Sequence, residues 1–298
     1  MKVTILGNNS ALPAYGRNPT AQIVNINEQL FLIDCGEGTQ MRMQLYNIRS
    51  HKINHIFISH CHGDHYFGLV GFVSSMSLLG REKKLHIYCN SFIKKVIEIQ
   101  LPFHLGFEIE YIFLDEKENE LLVNNEKFEI HCFKVKHSVP THGFLFIEKK
   151  RKRILIPEKL KELEIPTYFY SKLTDGENYV DKYGNEILNE TVTKEGLPWK
   201  KYAFCADTIF YPEMNNYIHD VNLLYHESTY LQDNIEKATT RFHSTAKQAA
   251  ETAKIVGTKK LIIGHFSSKY KGLDSFKEEA KSIFENTDLA LEGLTFEV

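Results

Sequence analysis

The sequence predicts an α/β fold in which two β-sheets pack face to face between outer layers of helices, a four-layer αββα sandwich. Short runs of β-branched and aromatic residues alternate with helical patterns along the chain. This alternation occurs in the first half and again in the second half, with a segment of different composition between them. Because a sheet must bury its apolar faces, two strand sets backed by helices favour two packed sheets with helices outside.

The first half of the chain supplies one set of elements. Its strand-like runs are VTIL (3–6), AQIVNI (21–26), QLFLID (29–34), HIFIS (55–59) and LHIYC (85–89). Helical patterns occur near residues 37–47, 66–79 and 91–100. Together these elements predict a sheet backed by helices.

Strand-like runs continue beyond residue 105. They are EIEYIFL (108–114), FEIHCFKVK (128–136), FLFIEKK (144–150), KYAFCAD (201–207), VNLLYHES (221–228) and KLIIGHF (260–266). Helices are predicted near residues 244–256 and 274–285. Each half of the chain therefore contributes strands backed by helices, which predicts two sheets.

Residues 149–200 differ in composition from the rest of the chain. The run KKRKRILIPEKLK (149–161) carries seven basic residues and one acidic residue, and TYFYSKLTDGENYVDKYGNEI (167–187) is polar, aromatic and rich in turn residues. We therefore predict one domain over residues 1–298 with an arm inserted at about 150–200. The basic run is suited to binding phosphates, and a solvated charged face explains it equally well.

Composition identifies an ordinary globular chain of 298 residues, 43% hydrophobic and 25% charged. The N-terminus begins at once with a strand-like run, and no window approaches the roughly 18 to 20 apolar residues of a membrane helix, which predicts a cytoplasmic protein. The cysteines are odd in number and scattered, so a disulfide framework is not expected. A net charge of −2 neither indicates nor excludes binding to nucleic acid.

The stretch FISHCHGDHYFGL (57–69) concentrates metal-ligating side chains directly after a predicted strand. His60 and His62 are two residues apart and can offer two imidazole nitrogens to one cation. Asp64 and His65 are placed for a second position beside it, and Gly63 permits the tight backbone path. A lone loop histidine is usually structural, but this density predicts a metal site.

Two metal ions need more ligands than this loop supplies. His137, Asp207 and His265 each lie at the end of an apolar strand-like run, where a buried strand gives way to a loop. Each residue alone has an ordinary explanation, because strand ends often carry polar residues. Together with the histidine-rich loop they predict a binuclear site at one edge of the sheets.

Several stretches spread over nearly the whole chain carry a family resemblance. They are LGNNSALPAYGRNPTAQ, FLIDCGEGTQMRMQL, FISHCHGDHYFGLVGF, VKHSVPTHGF, FCADT, HESTY, FHSTAKQAAETAK and IGHFSSKY. With them the sequence resembles the metallo-β-lactamase superfamily and, within it, the ribonuclease Z family, which trims the 3′ trailer from precursor tRNA. DCGEGTQ, the HEST with its downstream HST, and HFSSKY are the motifs most specific to that family.

The resemblance implies two zinc ions per chain. The side chains that would hold them are the same as those predicted above from the residues alone. One ion would be held by His60, His62 and His137, the other by Asp64, His65 and His265, with Asp207 bridging the two. Such a pair lowers the pKa of a bound water and clamps phosphate oxygens. Manganese or cobalt would also suit these ligands.

The resemblance also implies the catalytic roles. Asp64 would accept a proton from the water, and His243, oriented by Glu227, would protonate the departing ribose 3′ oxygen. The products would be a tRNA with a 3′-hydroxyl and a trailer with a 5′-phosphate. A helix predicted to begin near Ser244 places free backbone amides at Ser244 and Thr245, which we expect to seat the scissile phosphate.

Two stretches depart from the family pattern. The family's P-x-K-x-R-N loop reads PAYGRN here, with Tyr15 in place of lysine, and the arm lacks the family's Gly-Pro-rich motif. The resemblance still implies precursor tRNA as partner and a homodimer in which the arm of one subunit serves the other's active site.

Two alternatives remain open from the sequence. Another hydrolase of the same fold, acting on small phosphodiesters or thioesters, would keep the metal ligands but has no need of the arm or of the HEST and HST motifs. The other alternative is a binding protein that zinc stabilises and that catalyses no reaction. The complete ligand set with Asp64 argues against it. Hydrolysis of β-lactams fits poorly, because those enzymes commonly have a cysteine where this chain has Asp207.

Overall fold

The computed structural model describes residues 1–149, 152–196 and 199–298, and its two largest elements are seven-stranded sheets. The strands of the first sheet are β1 (Lys2–Gly7), β2 (Ala21–Ile26), β3 (Gln29–Ile33), β4 (Ile53–Phe57), β5 (Leu85–Cys89), β6 (Ile109–Phe113) and β18 (Thr295–Glu297). The order across this sheet is β18-β1-β2-β3-β4-β5-β6. Strands β3 to β6 are parallel, so their carboxyl ends share one edge.

The second sheet follows the same plan. Its strands are β7 (Asn119–Asn124), β8 (Phe128–Val135), β9 (Thr141–Glu148), β14 (Lys200–Cys205), β15 (Leu223–Glu227), β16 (Lys260–Gly264) and β17 (Thr287–Leu289). The order is β17-β16-β15-β14-β9-β8-β7, with β14 to β17 parallel. Because β9 is antiparallel to both β8 and β14, β8 runs in the same direction as the parallel set.

An aromatic core fills the space between the two sheets. Its buried rings include Phe31 and Phe57 from the first sheet and Phe144, Phe146 and Phe204 from the second. The ring of Phe57 lies edge-on to that of Phe146, with centroids 5.5 Å apart, so side chains of the two sheets interdigitate. Burying one such ring contributes about 1.5–3 kcal/mol, which makes this layer the main source of cohesion between the sheets.

Helices cover the two outer faces. Those against the first sheet are α1 (Thr39–Leu45), α3 (Leu69–Leu78) and α4 (Ser91–Gln100), and those against the second are α9 (Ala246–Ile255) and α10 (Asp274–Lys281). Two shorter helices are α2 (Gly63–Tyr66), between α1 and α3 in the chain, and α8 (Ile235–Thr240), which precedes α9. The αββα prediction is therefore confirmed. No helix in the described ranges has the length and apolarity to span a bilayer.

The stretch between β9 and β14 forms a small unit of its own, here called the insertion (residues 152–196). Its elements are β10 (Ile154–Leu155), α5 (Pro157–Glu162), α6 (Tyr170–Thr174), β11 (Tyr179–Val180), β12 (Glu186–Ile187), α7 (Asn189–Val192) and β13 (Thr193–Lys194). Leu160, Ile165, Leu173 and Val192 form a buried cluster that contains no residue of the two large sheets. Lys150, Arg151, Leu197 and Pro198, which belong to the predicted arm, lie outside the described residues.

The sequence predicted most strands within two residues of their observed bounds, but some elements differ. The pattern at 66–79 is two helices, α2 and α3, because the chain turns at Gly68, whose amide donates to the Cys35 carbonyl over 2.8 Å. Strands β7, β17 and β18 were not predicted. The last strand, β18, pairs with β1, so the first sheet is built from both ends of the chain.

Candidate metal centre and active site

All seven predicted ligands meet at one edge of the sandwich. His60 and His62 follow β4, Asp64 and His65 lie in α2, and the remaining three come from strands of the second sheet. His137 follows β8, Asp207 follows β14 and His265 follows β16. These strands run in one direction, so their carboxyl ends deliver the side chains to the same place.

Three imidazoles converge on one point. Nδ1 of His62 lies 3.1 Å from Nε2 of His60 and 3.2 Å from Nε2 of His137. Oδ2 of Asp207 lies 3.7 Å from Nε2 of His60 and 4.0 Å from Nε2 of His137. Ligands about 2.0–2.2 Å from a tetrahedral zinc ion lie roughly 3.3–3.6 Å apart, so this set has the spacing of a metal site.

A second set of donors adjoins the first. Nε2 of His265 lies 3.4 Å from Oδ2 of Asp64, and Nε2 of His65 lies 3.6 Å from the same oxygen. Oδ2 of Asp207 is 3.3 Å from Nε2 of His265 and 3.4 Å from Nε2 of His65. One carboxylate oxygen of Asp207 therefore lies within 4.0 Å of imidazole nitrogens from both sets.

The residues present fit divalent cations by their chemistry. Within the described part of the chain, the buried Nε2 of His65 has no hydrogen-bond partner, which is uncommon for a buried polar atom. Burial and the neighbouring His65 hold the pKa of His60 well below its usual value, so its imidazole is neutral and has a lone pair to donate. Burial opposes ionisation of Asp207, but His265 and His65 outweigh it and keep its pKa well below the usual value.

The outer nitrogens of the imidazoles are held by hydrogen bonds. Nδ1 of His137 donates to the Phe242 carbonyl over 2.8 Å, and Nδ1 of His265 lies 2.9 Å from Oγ1 of Thr229. Nδ1 of His60 lies 3.0 Å from Oγ of Ser59. Such contacts fix the tautomer of each ring and aim its other nitrogen at the cluster.

Asp34 is a buried carboxylate beside the cluster that sequence reasoning missed. It follows β3, is fully buried, and its Oδ2 accepts from Nδ1 of His65 over 2.7 Å. Ser59 donates to the same carboxylate through its amide and its hydroxyl, at 2.8 and 3.0 Å. The available signal was the apolar run FLID, which ends in a carboxylate at the same sheet edge as the histidine loop.

Beside the cluster, Oε1 of Glu227 lies 2.9 Å from Nδ1 of His243. Glu227 is fully buried and accepts further hydrogen bonds from the amides of Thr208 and Thr229. Burial disfavours protonation of His243, but the Glu227 carboxylate outweighs it and raises the pKa of the imidazole to about 9. The predicted pairing of these two side chains thus corresponds to a direct contact, and Nδ1 of His243 lies 4.0 Å from Oδ2 of Asp207.

The predicted phosphate seat at Ser244 and Thr245 is wrong. Helix α9 begins at Ala246, and Thr245 is its N-cap in a reciprocal pair with Gln248. The Ser244 amide donates to Glu227 over 3.0 Å, and the Thr245 amide donates to the Gln248 side chain over 3.0 Å. Both amides are therefore occupied and cannot receive a phosphate.

The loop that follows β1 supplies one further contact. The amide of Ala11 donates to Oδ2 of Asp64 over 2.7 Å. In the same loop Tyr15 is exposed, with the Arg17 guanidinium 5.4 Å from its ring centroid. Arg17 also donates to the Tyr270 and Lys271 carbonyls, so this loop is tied to the segment that follows His265.

Two sheets between helices, with a histidine and aspartate cluster at the carboxyl ends of their strands, define a protein of the metallo-β-lactamase fold. Human tRNase Z, short form, superposes with a TM-score of 0.72 at 24% identity and covers 100% of this chain and 99% of its own. The metallo-β-lactamase fold protein YhfI from Bacillus subtilis gives 0.70 at 19% identity, with 99% of each chain covered.

Sequence relatives narrow this class. Ribonuclease Z of Bacteroides fragilis is 37% identical over 293 residues, which cover 97% of this chain and 96% of that protein. Ribonuclease Z of Phocaeicola vulgatus is 37% identical over 300 residues, covering 100% and 97%. The chain therefore belongs to the ribonuclease Z family of endoribonucleases, and its residues 1–155 also match the family described as "Anti-Pycsar protein Apyc1".

Proposed function

We propose that this protein removes the 3′ trailer from precursor tRNA, leaving a 3′-hydroxyl on the tRNA and a 5′-phosphate on the trailer. The observation that carries the proposal is the contact between His243 and Glu227 directly beside the metal cluster, at 2.9 Å. Metal-assisted hydrolysis of a phosphodiester with a poor leaving group uses both metal ligands and a proton donor, and this site offers the two together. Relatives named ribonuclease Z supply the RNA substrate class.

The proposed cofactor is a pair of divalent ions, zinc in the first place, with manganese or cobalt as alternatives. One ion is assigned to His60, His62 and His137, the other to Asp64, His65 and His265, with Asp207 between them. When bound, such ions lower the pKa of a water molecule and offset the negative charge that develops on the phosphate.

The chain's own side chains are assigned the proton transfers. Asp64 is held by the Ala11 amide at 2.7 Å, so its carboxylate is fixed in position to accept a proton from the attacking water. His243 has its Nδ1 bound by Glu227, which leaves Nε2 to donate a proton to the ribose 3′ oxygen as the bond breaks. Glu227 keeps its negative charge and orients the ring.

We further propose that the insertion is an arm that grips the tRNA away from the cleavage site. Tyr168 and Tyr183 are 77% and 78% exposed, although large aromatic side chains are usually covered. Lys152 and Lys159 pair with acidic residues of the same insertion, so the basic run is less available to phosphates than its composition suggests. Phe169 and Tyr170 instead pack against the insertion's buried cluster.

A homodimer in which each arm serves the other subunit, and a cytoplasmic location, complete the proposal. The alternative is a hydrolase of small phosphodiesters or thioesters, which would use the same metal ligands. Cleavage of labelled precursor tRNA, compared with bis(p-nitrophenyl) phosphate and a thioester, separates the two. Turnover of the small diester without tRNA cleavage would refute the proposal.

A further inference from the structure

A groove adjoins the cluster described above and shares one lining residue with it, His137. It has a volume of about 470 Å³ and lies between the loop that follows β8, the loop that follows β14 and the residue that precedes His243. Val139, Pro140, Ile209 and Phe242 give it an apolar wall. Among the described residues, none of these four belongs to a buried hydrophobic cluster.

Phe242 has a backbone conformation that a bulky residue rarely adopts. Its φ is +58°, in the left-handed region where glycine is favoured and a bulky side chain is a true outlier. In this conformation the Phe242 carbonyl accepts a hydrogen bond of 2.8 Å from Nδ1 of His137. Glycine would provide the same carbonyl with less strain, so the carbonyl does not explain why the residue is phenylalanine.

Packing explains only part of the Phe242 side chain. The residue is 42% exposed, and in the described ranges its ring makes no contact with another aromatic ring or with a cation. Residues held in a strained backbone conformation are concentrated at functional sites. The ring is therefore available to a ligand in the groove.

The charge of the groove favours an anionic ligand. Lys136 has no ion pair within the described part of the chain, and its ammonium lies 4.1 Å from the centroid of the Tyr211 ring. Lys134 is paired with Glu118 at 3.4 Å. The one acidic lining residue, Asp115, accepts hydrogen bonds from Ser91 and Asn90 at the start of α4 and is already satisfied.

We propose that this groove binds one nucleotide of the substrate RNA next to the scissile phosphate. The Phe242 ring stacks on the base, and the Lys136 ammonium contacts the phosphate. Phe242 precedes His243 in the chain and its carbonyl binds His137, so a base on its ring is an immediate neighbour of the reacting bond. Stacking on an aromatic ring tolerates any base, as a trimming enzyme with many substrates requires. The inference rests on the proposed function.

The first test uses Phe242→Gly, which removes the ring while suiting the backbone. Stability should be unchanged or higher in thermal unfolding, because glycine relieves the left-handed strain. The kcat/KM for precursor tRNA should nevertheless fall about tenfold or more, mainly through KM. Phe242→Tyr should restore it. Glu28→Gly, at φ +64° in the turn between β2 and β3, is the matched control and should leave cleavage unchanged.

Abasic substrates locate the stacked base. The nucleotide on each side of the scissile phosphate is replaced in turn by an abasic one. For one of these two substrates, Phe242→Gly should lower kcat/KM less than it does for the intact substrate. An equal loss on intact and abasic substrates, or no loss at all, overturns the proposal. Failure of the wild type to cleave precursor tRNA would instead refute the proposed function. Lys136→Gln should flatten the salt dependence of RNA binding more than Lys134→Gln does, and equal slopes count against the phosphate contact.

Discussion

Oδ2 of Asp34 lies 2.7 Å from Nδ1 of His65, and both side chains are fully buried. This contact fixes the outer nitrogen of the ring, so that Nε2 is the atom directed at Asp64 and Asp207. A carboxylate behind a metal-binding imidazole raises its basicity and restricts its orientation. Asp34 is therefore expected to act on the metal site without touching it.

The first prediction concerns this positioning role. Asp34→Asn should weaken metal affinity about 10- to 100-fold, because the side chain keeps its size but loses its charge. Competition against a chromogenic chelator measures the affinity. Asp288→Asn is the control, since Asp288 on β17 pairs with Lys260 at the start of β16 and with Lys277 on α10 and is none of the assigned ligands. An unchanged affinity in Asp34→Asn would show that Asp34 only supports the fold.

Metal removal should lower stability. The cluster gathers carboxylates and imidazole lone pairs in a buried space, and bound cations offset their mutual repulsion. A ligand present at 100 times its Kd stabilises the folded state by about 2.7 kcal/mol. We expect dialysis against EDTA to lower the melting temperature by several degrees and added zinc to restore it. A melting temperature that does not respond to metal would contradict a cation site here.

The bridging role proposed for Asp207 predicts how many metal ions the protein binds. Purified protein should hold close to two zinc ions per chain by elemental analysis, and Asp207→Ala should lose at least one. The reason is that one oxygen, Oδ2, lies near imidazoles of both donor sets. Glu213→Ala, on the same connection between β14 and β15, serves as control. Retention of both ions in Asp207→Ala would refute the bridging assignment.

The loss of activity on removing the His243 imidazole should be larger for a substrate with a poorer leaving group. His243→Ala is expected to lower kcat for precursor tRNA by about 10²- to 10⁴-fold, with metal content unchanged. The same variant should lose much less activity on bis(p-nitrophenyl) phosphate, whose leaving group needs no proton. His131→Ala provides the control, since His131 pairs with Glu129 on β8. Equal losses on both substrates would exclude the general-acid role.

The sequence predicted those site residues that lie close together in the chain or directly after a predicted strand. The ligands from His60 to His65 lie close together in the chain, in the loop after β4 and in α2. His137, Asp207 and His265 directly follow strands whose carboxyl ends share an edge. Asp34 was missed because its role depends on the direction of a side chain from a neighbouring strand. The predicted phosphate seat failed because Glu227, distant in sequence, already binds the Ser244 amide. Short strands such as β18 carry too few residues for a periodic signal.

The last prediction tests the insertion as an RNA-gripping arm. Ile154 pairs with Lys194, so the two ends of the insertion are adjacent and a short Gly-Ser linker can replace residues 154–194. The seven assigned ligands all lie outside this range, and the insertion's buried cluster contains no residue of the sheets. Hydrolysis of bis(p-nitrophenyl) phosphate should therefore stay near the wild-type rate.

Cleavage of precursor tRNA by the same deletion variant should fall by orders of magnitude, mainly through KM, with a shallower dependence on salt. Replacing only the exposed Tyr168 and Tyr183 by alanine should produce part of this loss if their rings contact RNA. Collapse of both activities in a folded, metal-loaded deletion variant would make the insertion part of the active-site wall. If neither activity changed, the tRNA would have to be held by the sandwich alone, and the insertion would not be an RNA-gripping arm.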